Sequence, residues 1–437
     1  MFDYRSKVIT VQQALDLVQD GDLITVGLGA NEPPTFLSHL HEIADRVHDV
    51  TISDCLPTVP GEYLSPEYIA KAFRIESWFS TPLMRRANST GRVSYIPNNL
   101  HFAGFKRNFH RKSAIMISLA STPEGTGRTR FALGNTYEEM IGSAAKYRIL
   151  EVSPNAPFCY GQNYLDWDQI DYIIESDAYP GTIPGVTPND KDMAIGHAIA
   201  DLVNDGDCVQ VGIGGIPNAV CAFLHEKKDL GIHTEMMTTG IMDLIKAGVV
   251  TNARKQVDQG LTVFAFACGS QEMYEFMHEN KALFTGRGEV VNDPYVIARN
   301  DNQVSINTTV EVDLTGQCAS ESIGTLQISG SGGQADTAIG AQNSKNGRSI
   351  IALYSTVEKT DKATGQVTSA SKIVPTLKPG AGVTLSRNDV DIVVTEYGWV
   401  SLRGTTVQER AKLLISIAHP QFRDELDAKA REFGYYL

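Results

Sequence analysis

DGDLITVGLGANEPPTFLSHLHE occupies residues 20–42, and DGDCVQVGIGGIPNAVCAFLHE occupies residues 205–226. The chain says nearly the same thing twice, at an offset of 185 residues that slips to 184 after a one-residue gap. Each copy reads as a polar turn, a short apolar strand, a glycine-rich bend, and a helix with apolar spacing that ends in Leu-His-Glu. A unit of this size, repeated once, is not a solenoid repeat, whose period runs about 20–50 residues. The pattern predicts an α/β protein of two similar domains in tandem, each with a largely parallel sheet covered by helices. Where a strand feeds a helix through a glycine turn, unpaired backbone N–H groups face an anion or an oxyanion. Only the second copy keeps the tight form Gly212-Ile213-Gly214-Gly215, whereas the first has Gly27-Leu28-Gly29-Ala30. Chemistry is therefore expected to centre on the second half.

With 437 residues, 42% of them hydrophobic and 20% charged, the chain has the length and composition of a soluble globular protein with two or three cores. A formal net charge of −13 argues against a nucleic-acid partner, which needs a basic face, but permits a local basic patch for a phosphorylated ligand. The cysteines (Cys55, Cys159, Cys208, Cys221, Cys268, Cys318) are scattered and form no C-x-x-C pair. Buried thiols in a reduced, cytoplasmic protein are expected. The amino-terminal run has no signal-type apolar core, and no apolar run approaches the ~20 residues of a membrane span. The histidines show neither H-x-x-x-H nor H-E-x-x-H spacing, so no metal is expected.

Outside the repeats, strand-like runs fall at residues 50–53, 114–119, 148–152, 261–267 and 390–395. Helix-like spacing falls at 8–19, 136–146, 192–203, 406–417 and 421–433. Residues 178–188, AYPGTIPGVTP, can be neither helix nor central strand. They form the expected linker and divide the chain into domains 1–180 and 190–437. Residues 324–347 are too rich in Gly, Ser, Gln and Asn to predict a regular element.

A Gly-x-Gly turn between strand and helix also belongs to dinucleotide folds. In the second copy Glu235 lies 20 residues past Gly215, where a ribose-binding acid falls. The sixth position of that fingerprint, however, is Pro217 here and Glu32 in the first copy, and neither permits close helix–pyrophosphate packing. A nicotinamide dehydrogenase therefore ranks last. Glu235 sits in GIHTEMMTTG, just past a predicted strand and among apolar and small residues. Such a carboxylate is either a solvated loop acid or, at the carboxyl edge of the strands, a general base or covalent nucleophile.

From these residues onward the second half resembles the family I coenzyme A transferases of the acetyl-CoA hydrolase/transferase subgroup, which includes 4-hydroxybutyrate and butyryl-CoA:acetate CoA-transferases. The resemblance is carried by GIGGIPNAV (212–220), GIHTEM (231–236), VNDPYVIARND (291–301) and INTTVEVDLTGQ (306–317). It continues through SGSGGQAD (329–336), RSIIALYST (348–356), IVPTLKPG (373–380) and VVTEYGWVSLRG (393–404). The first half matches more loosely, through VGLGANEPP (26–34). The resemblance implies an enzyme that moves CoA from a short-chain acyl-CoA to a free carboxylate by ping-pong chemistry. It implies that Glu235 attacks the thioester, forms a mixed anhydride, and then carries CoA as a glutamyl thioester, with no prosthetic group. Asn307 is implied to donate its amide beside that carboxylate, and Gly365 to give an oxyanion-hole N–H. Each is equally read as an ordinary turn residue. Removing one oxyanion donor typically costs about 3–4 kcal/mol of transition-state stabilisation. Gly212, Gly214, Gly215, Gly330, Gly332, Gly333 and Gln334 are implied to meet the CoA arm, and a homo-oligomer is implied as well. Lys372, Lys378, Arg387 and Arg403 are nearby cations, none singled out.

Two departures bear on the acyl group. Thr238-Thr239 stands where the family has Ser-Asp, and Ala30-Asn31-Glu32-Pro33-Pro34 stands where it has a Gly-Glu-Pro turn. Asn31, Glu32 and Glu62 are the candidates for an acyl-pocket wall, with Glu62 also read as an exposed loop acid. Butyrate, 4-hydroxybutyrate, acetate, and a dicarboxylate such as succinate or itaconate are all open as substrates. An acyl-CoA hydrolase on the same scaffold, or a non-catalytic acyl-CoA-binding protein, are the rival readings.

Overall fold

The computed structural model describes residues 4–360 and 364–437. The chain falls into two units. The first runs to Gly185 and also takes Thr234–Met242 and Leu261–Asp293; the second consists of Val186–His233, Asp243–Gly260 and Pro294–Leu437. The break at Gly185 lies within the expected linker. The linear division into 1–180 and 190–437 does not continue past it, because two stretches of the second half, Glu235 among them, belong to the first unit. Backbone pairing accounts for this. Asn135 N–H donates to Ala265 O at 3.0 Å, Ala267 N–H to Leu133 O at 2.7 Å, and Thr285 N–H to Tyr160 O at 2.9 Å.

In the first unit seven strands lie in the order Val93–Tyr95, Phe73–Ser77, Val50–Ser53, Leu23–Val26, Ile115–Ala120, Tyr147–Val152 and Tyr172–Glu175. Every pairing is parallel. Strands Leu23–Val26 and Ile115–Ala120 are buried at every position, as befits a parallel sheet covered on both faces. Helix Pro34–His39 packs Phe36 and Leu37 into the main core with Leu15, Ile52 and Phe73. Burying each such side chain stabilises by about 1.5–3 kcal/mol.

In the second unit Cys208–Val211, Gln303–Thr308, Arg348–Ala352 and Ile392–Thr395 are successive parallel neighbours, and Gly398–Ser401 closes the edge antiparallel. On its other side Cys208–Val211 pairs in parallel with the start of Gly231–Met237, through Gly231 and Ile232. The order therefore reverses between Cys208–Val211 and Gln303–Thr308, just as it reverses in the first unit between Leu23–Val26 and Ile115–Ala120. Such a reversal splays the loops at the carboxyl ends of the strands and opens a crevice for ligands. Both glycine turns emerge at these points.

Three expectations are corrected. Residues 324–347 are not irregular throughout: QADTAIGAQN forms helix Gln334–Asn343. Its glycine is a packing device, since a Cβ on Gly340 would lie 2.6 Å from Ile297 Cγ2. Glu235 lies within strand Gly231–Met237 and not beyond it. The helix expected at 8–19 is only Val11–Asp16, fixed at its start by a capping box between Thr10 and Gln13. All six cysteines are free and buried. No helix among the described residues is long and apolar enough to cross a membrane.

Gly161 tests the pairing that recruits the segment containing Thr285. Its φ is +144°, and a Cβ there would lie 2.1 Å from Thr285 O. Gly161→Ala is expected to destabilise by about 2–5 kcal/mol, from backbone strain and overpacking together. Urea unfolding measures it, and a change within experimental error would contradict the close approach.

Candidate active site

The two glycine turns have different fates. After Leu23–Val26 the turn is filled by the protein's own carboxylates. Leu28 N–H donates to Glu138 Oε1 at 2.9 Å. Thr35 and Phe36 N–H, at the start of helix Pro34–His39, donate to Glu151 Oε1 and Oε2 at 2.9 and 3.0 Å. Both glutamates are fully buried. Asn31 braces the same turn. Its Nδ2 donates to Gly134 O at 3.0 Å and to Glu138 Oε1 at 3.2 Å, and its Oδ1 accepts from Leu133 N–H at 2.7 Å. With its amide so engaged and only 1% of its surface exposed, Asn31 braces the turn.

After Cys208–Val211 the turn is open. Gly214, at φ +122°, starts helix Gly215–Leu224 without a side-chain cap. A Cβ on Gly212 would meet nothing within 4 Å. Gly214 and Gly215 line a cavity of about 200 Å³ together with Asp192, Thr308, Tyr354 and Lys372. Burial lowers the pKa of Lys372, opposed by Glu396 and Glu311. Lys378 and Arg403 are instead paired, with Glu311 at 2.9 Å and Asp391 at 2.6 Å.

Asn307 lies at the carboxyl end of Gln303–Thr308, where Ile306 is in register with Val211. Its Nδ2 donates to Ser305 Oγ at 2.9 Å and Thr337 Oγ1 at 3.0 Å. Buried Gly330 leads to Gly332, at φ +51°, and to Gly333, which opens helix Gln334–Asn343. Gln334 Nε2 donates to Thr308 O at 3.3 Å. The structure thus gathers Asn307, Gln334 and the Gly212–Gly215 turn at adjacent strand ends. It does not bring Gly365 there. That residue is exposed in the connection between Thr356–Thr360 and Val367–Ser371, with nothing within 4 Å of where its Cβ would sit.

Strand Gly231–Met237 is buried at every position except Glu235, which is half-buried. Asn292 Nδ2 donates to Glu235 Oε2 at 2.7 Å, and Asn292 itself is fully buried. Sequence reasoning missed this residue. In VNDP it reads as a turn former before Pro294, and nothing local signals that its amide reaches a strand 57 positions away. Burial, followed by the charges of Asp54, Glu235, Glu138 and Glu32, pushes the Cys55 thiol well above its ordinary range. Cys55 is therefore no thiolate nucleophile, although it feels the charge of Glu235. Thr238, in the Thr-Thr departure, accepts from Ile241 N–H at 3.4 Å at the start of helix Thr239–Lys246.

Glu62 is exposed and lines a separate cavity of about 440 Å³ with Leu64, Leu83 and Arg86. Glu32 is fully buried, and its Oε2 accepts from Thr58 N–H at 2.6 Å, Thr58 Oγ1 at 2.7 Å and Val59 N–H at 2.9 Å. Asp54 Oδ2 accepts from Tyr63 O–H at 3.1 Å. Glu32 Oε1 and Asp54 Oδ1 are both buried without another donor. The two carboxyls bond to each other when one keeps its proton. Burial and then the charge of Asp54 push Glu32 well above the usual carboxyl range, while burial brings Asp54 to about 6.

A parallel α/β scaffold, an open glycine turn and an amide-held strand carboxylate define a class, and comparison gives it a family. The acetyl-CoA hydrolase/transferase N-terminal domain matches residues 2–183, and the C-terminal domain of the same family matches 269–430. The chain belongs to the acetyl-CoA hydrolase/transferase family. It is 40% identical to succinyl-CoA:cyclohexane-1-carboxylate CoA transferase of Geobacter metallireducens, over 99% of this chain and 97% of that one. It is 38% identical to 4-hydroxybutyrate coenzyme A transferase of Clostridium kluyveri, over 97% of each. The crystal structure of RipA from Yersinia pestis matches it with a TM-score of 0.90 at 37% identity, over 99% of both chains.

The shared proton of Glu32 and Asp54 has a definite sign. Both carboxyls bind a proton more tightly folded than unfolded, so their contribution to stability is full below pH ~4 and fades as pH rises. For Asp54 the loss runs up to about pH 6, and for Glu32 it continues above that. Glu32→Gln supplies a permanent N–H donor to Asp54 and removes the ionisation. The difference in Tm between Glu32→Gln and wild type is therefore expected to grow in favour of the variant from pH 5 to pH 9. A difference that is flat across that range would contradict the shared proton.

Proposed function

We infer that Glu235 carries the transfer of CoA from a short-chain acyl-CoA to a free carboxylate, through a glutamyl-CoA thioester. One observation carries this reading: a lone half-buried carboxylate in an otherwise buried strand, held by the buried amide of Asn292. A carboxylate needs no general base to become a nucleophile, and its anhydride and thioester are both reactive enough to turn over. It attacks the thioester carbonyl and expels CoA thiolate. The thiolate returns to the glutamyl carbon and releases the first acid. A second carboxylate then reverses both steps, and no net proton moves.

The open turn Gly212–Gly215 and the residues Gly330–Gln334 are assigned to the CoA arm, with Asn307 as a further donor. The cavity lined by Gly214 and Gly215 has a half-buried cation in Lys372 and uncapped N–H groups at the start of helix Gly215–Leu224, which suits a polar, anionic ligand. CoA enters as substrate. The names of the relatives span linear and cyclic acids, so the acceptor panel includes acetate, butyrate, 4-hydroxybutyrate, succinate and cyclohexane-1-carboxylate, and itaconate is added as a further dicarboxylate.

Glu235→Ala is expected to lose transfer by several orders of magnitude while unfolding at nearly the wild-type temperature. Transfer near the wild-type rate in that variant would remove Glu235 as the nucleophile. Turnover of acyl-CoA by the wild type at an equal rate without any acceptor acid would mark a hydrolase instead.

A further inference from the structure

One turn of the first unit is strained. Leu56 has φ +64°, in the left-handed region. Every other non-glycine residue with positive φ among the described residues is Asp, Asn or Glu. A left-handed L-residue brings its Cβ against the following carbonyl oxygen, a cost that a short polar side chain can offset by local hydrogen bonding and a leucine cannot. Pro57 comes next, and its ring pushes the residue before it toward extended backbone. Leu56 is thus held against two preferences at once. Such strain persists only where the surroundings fix it, and it gathers at functional sites.

The surroundings fix this turn on both sides of its tip. Cys55 O accepts from Gly29 N–H at 3.1 Å, and Thr58 Oγ1 donates to Gly29 O at 3.1 Å. Thr58 and Val59 N–H donate to Glu32 Oε2 at 2.6 and 2.9 Å. The clamp leaves Leu56 half-buried, just beyond strand Val50–Ser53 at the carboxyl edge of the sheet. From there a path of short contacts leads to Glu235. A Cβ on Gly29 would lie 3.7 Å from Leu56 Cδ2 and 3.9 Å from Cys268 Sγ. Cys268 N–H donates to Met237 O at 3.4 Å, and Met237 stands two residues from Glu235 in strand Gly231–Met237. Burial, followed by the charges of Asp54 and Glu235, raises the pKa of Cys55, the residue before Leu56.

We propose that Leu56 is a specificity residue: its side chain is the apolar surface on which the acyl group of the thioester rests, and it favours chains of four or more carbons over acetyl. The inference rests on Glu235 being the nucleophile. The strain itself argues for the side chain. Glycine or asparagine would make the same turn at φ +64° with less cost, so the turn alone does not call for leucine. What leucine adds is an isobutyl group, held half-exposed at the strand ends where ligands of parallel sheets bind. A thioester carbon that meets Glu235 has its acyl chain beside that carboxylate. An acetyl group ends at one methyl. A butyryl or cyclohexane-carbonyl group extends further, across Gly29, where no side chain intervenes before Leu56. Gly29 is thereby the gap and Leu56 the wall behind it.

The rate of charging Glu235 reads this directly. The full-length enzyme is mixed with butyryl-CoA or with acetyl-CoA, and the enzyme thioester is trapped with borohydride at successive times. Mass spectrometry of the peptide containing Glu235 then gives a second-order rate constant for each thioester. The butyryl-to-acetyl ratio of these constants is compared among wild type, Leu56→Asn and Leu56→Gly. Both substitutions suit the left-handed backbone, and asparagine is the residue this chain itself uses at Asn252, Asn302 and Asn346. In each variant the ratio is expected to fall about 10-fold or more, the least that one methylene in an apolar pocket contributes. A packing role alone would slow both thioesters alike and leave the ratio where it was. An unchanged or raised ratio in a variant that still charges Glu235 would therefore overturn the proposal and leave the nucleophile in place. No trapped thioester at Glu235 in the wild type would remove the nucleophile itself and the proposal with it, so the two failures are distinguishable.

Discussion

A carboxylate placed in a strand that is otherwise buried at every position must be hydrogen-bonded or give up its charge. The bond from Asn292 to Glu235 helps to meet that demand, and a chain of backbone bonds in the first unit stands behind it. The amide is fixed by the helix Gly288–Val291, the helix by the segment around Asn135, and that segment by strand Thr262–Ala267. The pairing of residues from the second half of the sequence with the first unit is thus tied to holding one side chain. A neutral amide is a suitable partner for such a group. It orients the carboxylate without the strong depression of nucleophilicity that a bonded cation would bring.

The duplicated turn shows how one local sequence acquires two roles. Both copies put a glycine bend at the carboxyl end of a strand where the sheet order reverses. In the first copy Glu138 and Glu151 occupy the N–H groups that an external anion would otherwise meet, and Asn31 locks the arrangement. In the second copy Gly214 and Gly215 face an open cavity. The first turn has become a structural joint and the second remains a place for a ligand. Glu32 belongs to the joint. Its Oε2 ties the loop through Thr58 and Val59 to the turn, and burial raises the pKa of both Glu32 and the neighbouring Asp54.

What was legible in the sequence follows the physics of each signal. Period and glycine spacing survive in one dimension, so both parallel sheets, the strands Val50–Ser53 and Cys208–Val211, and the break near Gly185 were readable. Glu235 stood out because it is a charge among apolar residues. Helix Gln334–Asn343 was not legible, since its small residues serve a close approach to Ile297 that only the fold supplies. Asn31, Glu32 and Gly365 looked alike as turn residues near the expected site. Their separation into brace, proton-sharing anchor and exposed loop depends on Glu138, Asp54 and the ribbon Thr356–Ser371, all distant or unmarked in sequence. Asn292 was invisible for the same reason.

The central claim is that Glu235 becomes covalently charged with CoA. The most direct test is to incubate the protein with butyryl-CoA, reduce with borohydride, and map the peptides by mass spectrometry. The account predicts conversion of Glu235 to its side-chain alcohol, the product of a reduced glutamyl thioester. An unmodified Glu235 with both butyryl-CoA and succinyl-CoA, or the alcohol at another carboxylate such as Glu62, would contradict it.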